Sequence, residues 1–270
     1  MRSAQEARPS DSSSEVTLVE EIEDGVLTLV LSRPEAHNAL NSAMLGSLRR
    51  SLLAAYSDVS IRCIVITGSG TKAFCAGADL DELSRKSAGA AHEILGYGRA
   101  VIEIVERSHV PIIAAVNGVA LGGGFELALA CSFILASHNA SFGLPETGLG
   151  LIPGYGGTQR LPELIGRQLA LHAILTGQRL SAARAYELGL VALPPVPLEE
   201  LPAVASEEAS RILKRGSNAA SMVLELVKPS SQSTDSTGAR LETAFAAFAV
   251  ASDEAAEGIS AFREHRTPRF

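Results

Sequence analysis

In the first half of this chain the apolar residues form short, β-branched runs; in the second half they recur at helical spacing. Residues 16–21 and 26–31 are such runs around Asp24-Gly25, which predicts a hairpin. Arg33-Pro34 ends it, and Asn41-Ser42 can cap a helix reaching about Ala55, with Met44, Leu45, Leu48 and Leu52 on one face. Residues 63–67 (CIVIT) predict a short buried strand, 68–70 a turn and 90–106 a helix, which Pro111 follows. The apolar stretch 112–136 reads as strand, glycine turn, then a helix carrying Leu127, Ala128, Leu129 and Ala130. This repeated strand–turn–helix pattern predicts a layered α/β core. From Thr158 the pattern is mostly helical, over 161–165, 168–175, 182–188, 199–215, 219–227, 240–251 and 253–263.

Three divisions follow. Residues 1–15 are polar, lack the apolar core of a secretory signal and predict a disordered tail. Residues 16–197 form the core, and the break Pro194-Pro195-Val196-Pro197 separates it from a helical region at 198–270. Residues 228–238 (KPSSQSTDSTG) predict a polar linker.

Composition narrows the function. With 270 residues, 46% hydrophobic and 20% charged, the chain can bury a sizeable core, and no apolar run approaches a membrane span. A net charge of −7 argues against nucleic acid as the main partner. Local basic clusters stand at Arg211, Lys214 and Arg215, and at Arg263, Arg266 and Arg269. The three cysteines, Cys63, Cys75 and Cys131, are odd in number and form no C-x-x-C pair, which points to a reducing, cytoplasmic setting. Cys75 lies beside a glycine loop, but no histidine near it in sequence offers a base. The six histidines show no metal-ligand spacing, so no metal site is expected.

The strongest chemical signal is Gly122-Gly123-Gly124-Phe125-Glu126, followed twenty positions later by Glu146. A glycine turn entering a helix leaves backbone N–H groups free at the positive end of the dipole, where a phosphate or an oxyanion can bind. A carboxylate one turn in lies close to that point, and Glu146 completes an acid/base pair if the fold returns it there. Taken singly, each part has an ordinary reading: glycines for packing, Glu126 for the helix dipole, Glu146 as a loop acid.

Six segments in order resemble the crotonase (enoyl-CoA hydratase/isomerase) superfamily: 33–40 (RPEAHNAL), 74–80 (FCAGADL), 115–126 (AVNGVALGGGFE), 142–146 (FGLPE), 152–161 (IPGYGGTQRL) and 261–266 (AFREHR). FCAGADL, LALAC and GGTQRLP bring the chain nearest to the branch of enoyl-CoA and methylglutaconyl-CoA hydratases. The resemblance implies a spiral of ββα turns, a C-terminal helical trimerisation region, a trimer or a hexamer of two trimers, and an acyl-CoA thioester substrate. It implies that the N–H groups of Ala78 and Gly123 form an oxyanion hole. Glu126 then activates water for attack at Cβ of a 2-enoyl-CoA, and Glu146 delivers the proton to Cα. No cofactor is implied beyond the coenzyme A of the substrate. By the same resemblance coenzyme A lies on backbone near Ala36, Ala76, Asp79 and Leu80, and the acyl tail runs towards residues 81–98. Arg263, His265 and Arg266 are candidates to meet its phosphates. In a eukaryote the implied compartment is the mitochondrial matrix.

Three departures from the family pattern stand out. Asp81 takes a place where many relatives carry lysine, and Tyr155 a place where most carry alanine or glycine; the tyrosine narrows the acyl pocket, adds a hydroxyl contact or packs outward. Residues 228–238 replace a regular lysine-bearing helix–turn. The branch includes an RNA-binding member that uses a lysine-rich helix; the matching helix here carries only Arg49 and Arg50, with Arg62 beyond it. The acyl group stays open between straight short-chain, methylglutaconyl and aromatic thioesters.

Overall fold

Asp24 and Gly25 both take positive φ, 47° and 84°, the pair of left-handed residues that a two-residue hairpin turn requires. They join β1 (Leu18–Glu23) to β2 (Val26–Leu31) in antiparallel register, Leu18 opposite Leu31 and Glu23 opposite Val26. The computed structural model describes residues 17–227 and 235–270. The expected tail therefore lies outside the described residues, as does most of the expected linker.

After the hairpin, α1 (Ser42–Ser57) is capped by the Asn41 side chain, which accepts from the Met44 amide, and buries Met44, Leu45, Leu48 and Leu52 as their spacing predicts. Three ββα turns follow. β3 (Cys63–Gly68) and β4 (Ala73–Cys75) lead into α2 (Leu80–Leu83) and α3 (Ala88–Glu106). β5 (Ile112–Val116) and β6 (Val119–Leu121) lead into α4 (Gly123–Ala130). β7 (Phe133–Ala136) and β8 (Ser141–Gly143) lead through a 3-10 turn at Glu146–Leu149 into α5 (Gly157–Ile165) and α6 (Arg167–Thr176). Each turn gives one strand to each of two sheets, ordered β1-β2-β3-β5-β7 and, with β9 (Leu180–Ser181), β4-β6-β8-β9. This is the expected spiral.

The two-residue period of the strands sorts the core into two layers. Ile64, Ile66, Ile112, Ala114, Val116, Ile134 and Ala136 face the main cluster with α1, α3 and α4. Cys63, Val65, Ile113, Ala115 and Leu135 face the other side, where α8 (Leu201–Leu213), which follows α7 (Ala182–Glu187), covers them with Leu201, Ala205 and Ala209. So α8, though it follows the proline break, is packed on the sheet. Beyond it lie α9 (Ser217–Leu226), α10 (Asp235–Val250) and α11 (Asp253–Arg263). The linker reading of 228–238 is corrected at its end: residues 235–238 belong to α10.

The loop between the hairpin and α1 is built on Asn38, a fully buried polar residue held at φ 58°. Its Oδ1 accepts from the Arg33 amide and the Ser69 hydroxyl, both at 3.0 Å; its Nδ2 donates to the carbonyls of Ser69 at 3.1 Å and Ala73 at 2.9 Å. One side chain thus ties the loop to the β3–β4 turn. Asn38→Ala leaves these buried groups unpaired in a backbone region that alanine disfavours. We expect it to cost about 3 kcal/mol, read as a lowered urea midpoint.

Candidate active site

The turn after β4 lies alongside Leu40 as a single parallel bridge: the Leu40 amide donates to the Gly77 carbonyl at 2.8 Å, and the Asp79 amide to the Leu40 carbonyl at 3.0 Å. In that pattern the peptides flanking Ala78 bond to Leu40, so the Ala78 N–H points to the opposite side. Opposite stands the start of α4. Gly123 is its first residue, and its N–H is one of the donors that a helix N-terminus leaves free. A methyl group on Gly123 would stand 3.3 Å from the Ala78 nitrogen, and one on Gly77 would stand 3.3 Å from the Gly123 nitrogen. The two predicted donors therefore stand close together.

Each glycine of the run is there for a contact. Gly122 has φ 49°, and a Cβ on it would sit 2.9 Å from Glu146 Oε1. A Cβ on Gly123 would stand 2.8 Å from the Tyr155 ring, and one on Gly124 would drive into the Cys75 carbonyl. Glu146, at the start of its 3-10 turn, thus lies over Gly122 of the glycine loop.

The two carboxylates are treated differently. Glu126 is 1% exposed, and its Oε1 accepts from the Tyr155 amide at 2.8 Å and the Gly157 amide at 2.7 Å. Burial lifts its pKa above the ordinary carboxyl value; the two amides and the charge of Arg160 work against that lift. Glu146 has no such cradle. Its Oε2 is buried and takes no hydrogen bond from any described residue. Burial, with the negative charge of Glu126 adding to it against one backbone amide, pushes its pKa up to about 7.

Tyr155 packs inward, which removes the outward reading. It is 2% exposed, with its ring wedged between Gly123 of α4 and Gly98 of α3. Burial raises its phenol pKa, with the charges of Glu126, Cys75 and Glu82 adding to the effect.

Of the residues assigned to coenzyme A, Ala76 is tied to the loop that carries Ala36, its amide donating to the His37 carbonyl at 3.0 Å. Leu80 is exposed at the start of α2. The Asp79 carboxylate is already engaged: Oδ1 caps α2 by accepting from the Asp81 amide, and Oδ2 pairs with Arg33 at 2.9 Å. Arg266 is paired with Glu257 at 2.6 and 2.9 Å and with Glu264 at 2.7 Å, so its charge is met within the chain. Sequence reasoning missed Glu106 and the role of Arg160, which pair across 54 positions; no local pattern could announce that contact.

The enoyl-CoA hydratase/isomerase family pattern matches residues 21–270. The crotonyl-CoA hydratase of Syntrophomonas wolfei is 38% identical over 253 residues, covering 94% of this chain and 97% of that protein. The 2,3-dehydroadipyl-CoA hydratase of Escherichia coli is 40% identical over 246 residues, covering 91% and 94%. The crystal structure of an enoyl-CoA hydratase from Bacillus anthracis superposes with a TM-score of 0.91 at 39% identity, covering 94% of this chain and 98% of that one. With the spiral fold and matches of this extent in hand, the chain belongs to the enoyl-CoA hydratase/isomerase family.

Proposed function

We propose that this protein is an enoyl-CoA hydratase that adds water across the 2,3 double bond of a 2-enoyl-CoA thioester, with Glu126 as base, Glu146 as acid and the N–H groups of Ala78 and Gly123 as the oxyanion hole. The observation that carries the assignment of roles is the unequal treatment of the two carboxyls. Glu126, cradled by two amides, is the easier to ionise and activates water for attack at Cβ. Attack moves negative charge onto the thioester oxygen. Two fixed donors, one at a helix N-terminus, meet that charge without reorganising, and each such donor is worth on the order of 10²–10³ in rate. Glu146, pushed up to about 7, still carries a proton near neutrality and hands it to Cα. Water thereby divides its proton and hydroxide between Glu126 and Cβ, and the pair ends with its single proton on the other carboxyl. The reverse dehydration also starts from a singly protonated pair. We assign no metal or redox cofactor to this chemistry.

The acyl class is read from Tyr155, whose wedged ring takes up room beside the donor pair and favours short acyl groups such as crotonyl. Coenzyme A lies by Ala36, Ala76, Asp79 and Leu80 in this reading. Assembly into trimers or a hexamer is supported by apolar residues left exposed on the last two helices, among them Phe248, Val250 and Phe262. No helix among the described residues is long and apolar enough to cross a membrane; with the free cysteines, this supports a cytoplasmic setting, or the matrix in a eukaryote.

Loss of the enoyl-thioester absorbance with crotonyl-CoA tests the core of this reading. Glu126→Gln and Glu146→Gln are each expected to lower kcat by on the order of 10²–10⁴. A variant that keeps the wild-type rate would remove that residue from the mechanism. In the wild type, kcat for hydration should be bell-shaped in pH. Its alkaline limb should fall near the value of about 7 to which Glu146 is raised, because raising the pH through it removes the proton destined for Cα. An activity flat from weakly acidic to alkaline pH contradicts this. Tyr155→Ala should raise kcat/KM for longer enoyl chains relative to crotonyl-CoA by roughly 10-fold; an unchanged chain-length profile would show that the ring does not bound the acyl pocket.

A further inference from the structure

The turn that cradles Glu126 is itself held from behind. The Tyr155 peptides face two ways: the amide donates to Glu126, while the carbonyl accepts from Arg160 Nη1 at 2.7 Å. Arg160 is 8% exposed and makes a two-pronged pair with Glu106 at the end of α3, Nε to Oε1 and Nη2 to Oε2, each at 2.8 Å. Gly156, at φ 108°, wraps the chain so closely over this guanidinium that any side chain there would strike it. The next residue, Gly157, opens α5, and its N–H is the second donor to Glu126. α3, the turn, α5 and the carboxylate on α4 are therefore linked through one guanidinium.

We propose that Arg160, anchored by Glu106, is a positioning residue for the base Glu126: it fixes the 155–157 turn so that both amides meet Glu126 Oε1, and it sets a positive charge behind the carboxylate. Only arginine has the planar fork for this, since two donors go to Glu106 while a third goes to the Tyr155 carbonyl. The charged and titratable groups arranged around Glu126 are Glu146 after β8, the Tyr155 phenol, Cys75 on β4, Cys131 after α4, and the Arg160–Glu106 pair. Among these described residues only Arg160 is cationic, and it favours the ionised form of Glu126 against the effect of burial.

The inference rests on Glu126 being the base, and the test separates the two. The pH dependence of kcat for crotonyl-CoA hydration is measured for wild type, Glu126→Gln, Arg160→Met, Arg160→Lys and Glu106→Gln, with thermal melting as a check on folding. Arg160→Met should lower kcat near neutrality by on the order of 10²-fold, the scale of a displaced catalytic group, with KM little changed and the acid limb moved to higher pH. Arg160→Lys, which restores the charge without the fork, should return the limb towards its wild-type position but not the full rate. Glu106→Gln breaks the same ion pair yet keeps the cation, so its acid limb should stay or move to lower pH. A purely structural ion pair predicts instead that Arg160→Met and Glu106→Gln lose stability and rate alike with both limbs unmoved, and that result overturns the proposal. Should Arg160→Met fail to fold, the other two still decide: an upward limb shift in Glu106→Gln, or full wild-type behaviour in Arg160→Lys, overturns it. If Glu126→Gln keeps the wild-type rate, the base is misassigned and the inference falls with it; if Glu126→Gln is inactive but Arg160→Met is like wild type, the positioning role alone falls.

Discussion

Everything at the site depends on two stretches of backbone meeting with no side chain between them. The Gly77–Ala78 peptide and the start of α4 come so close that a single methyl group on Gly77 or Gly123 would stand against the nitrogen opposite. A pair of amide donors aimed at one point cannot be supplied by rotating side chains without an entropic cost on each turnover. Here they are fixed by elements rooted in different parts of the fold: the parallel bridge to Leu40 turns one N–H inward, and the N-terminus of α4 presents the other. The spiral makes this geometry available, because each ββα turn places the end of a second-sheet strand beside that of the turn before it.

Around this backbone pair the chain uses burial unevenly. Glu126 is buried and Glu146 half-buried, and Glu126 receives two amides from the 155–157 turn where Glu146 has one backbone amide to set against burial. Burial raises the proton affinity of both carboxyls, and the two amides of the 155–157 turn work against that rise at Glu126. The same packing that dries the site also fills it: Tyr155 sits where both α3 and α4 carry glycine, and its backbone serves Glu126 while its ring packs between the two helices. A change at that position therefore touches the Glu126 cradle and the packing of α3 against α4 together.

Much of this was legible in the chain, and the rest was not for definite reasons. The hairpin, α1 and α3 were readable because their signals are local: a two-residue turn, an asparagine cap, a long apolar stripe. β4, β6, β8 and β9 span two or three residues each, too few for any alternation to register, and they exist only because neighbouring turns pair with them. Gly123, Glu126, Ala78 and Glu146 could be picked out as candidates because their residue types are informative in themselves or match family motifs. Their convergence was a matter of tertiary structure. Glu106 and Tyr155 show the limit: a glutamate at a helix end and a tyrosine in a glycine loop acquire meaning only from what they touch across the fold.

Cys75 gives the arrangement a further consequence. Its carbonyl leaves no room for a side chain on Gly124, and its sulfur lies 3.5 Å from the Gly77 nitrogen, next to the Ala78 peptide. Thioesters are the acyl donors that thiolates attack most readily, by exchange of one sulfur for another. A thiolate with access to such a thioester would compete with water for its acyl group, but Cys75 is fully buried. Burial forestalls this by pushing the Cys75 thiol up to about 12, and it raises Cys63 and Cys131 as well. The dense packing behind the glycine loop thus keeps the Cys75 sulfur both covered and protonated near neutrality.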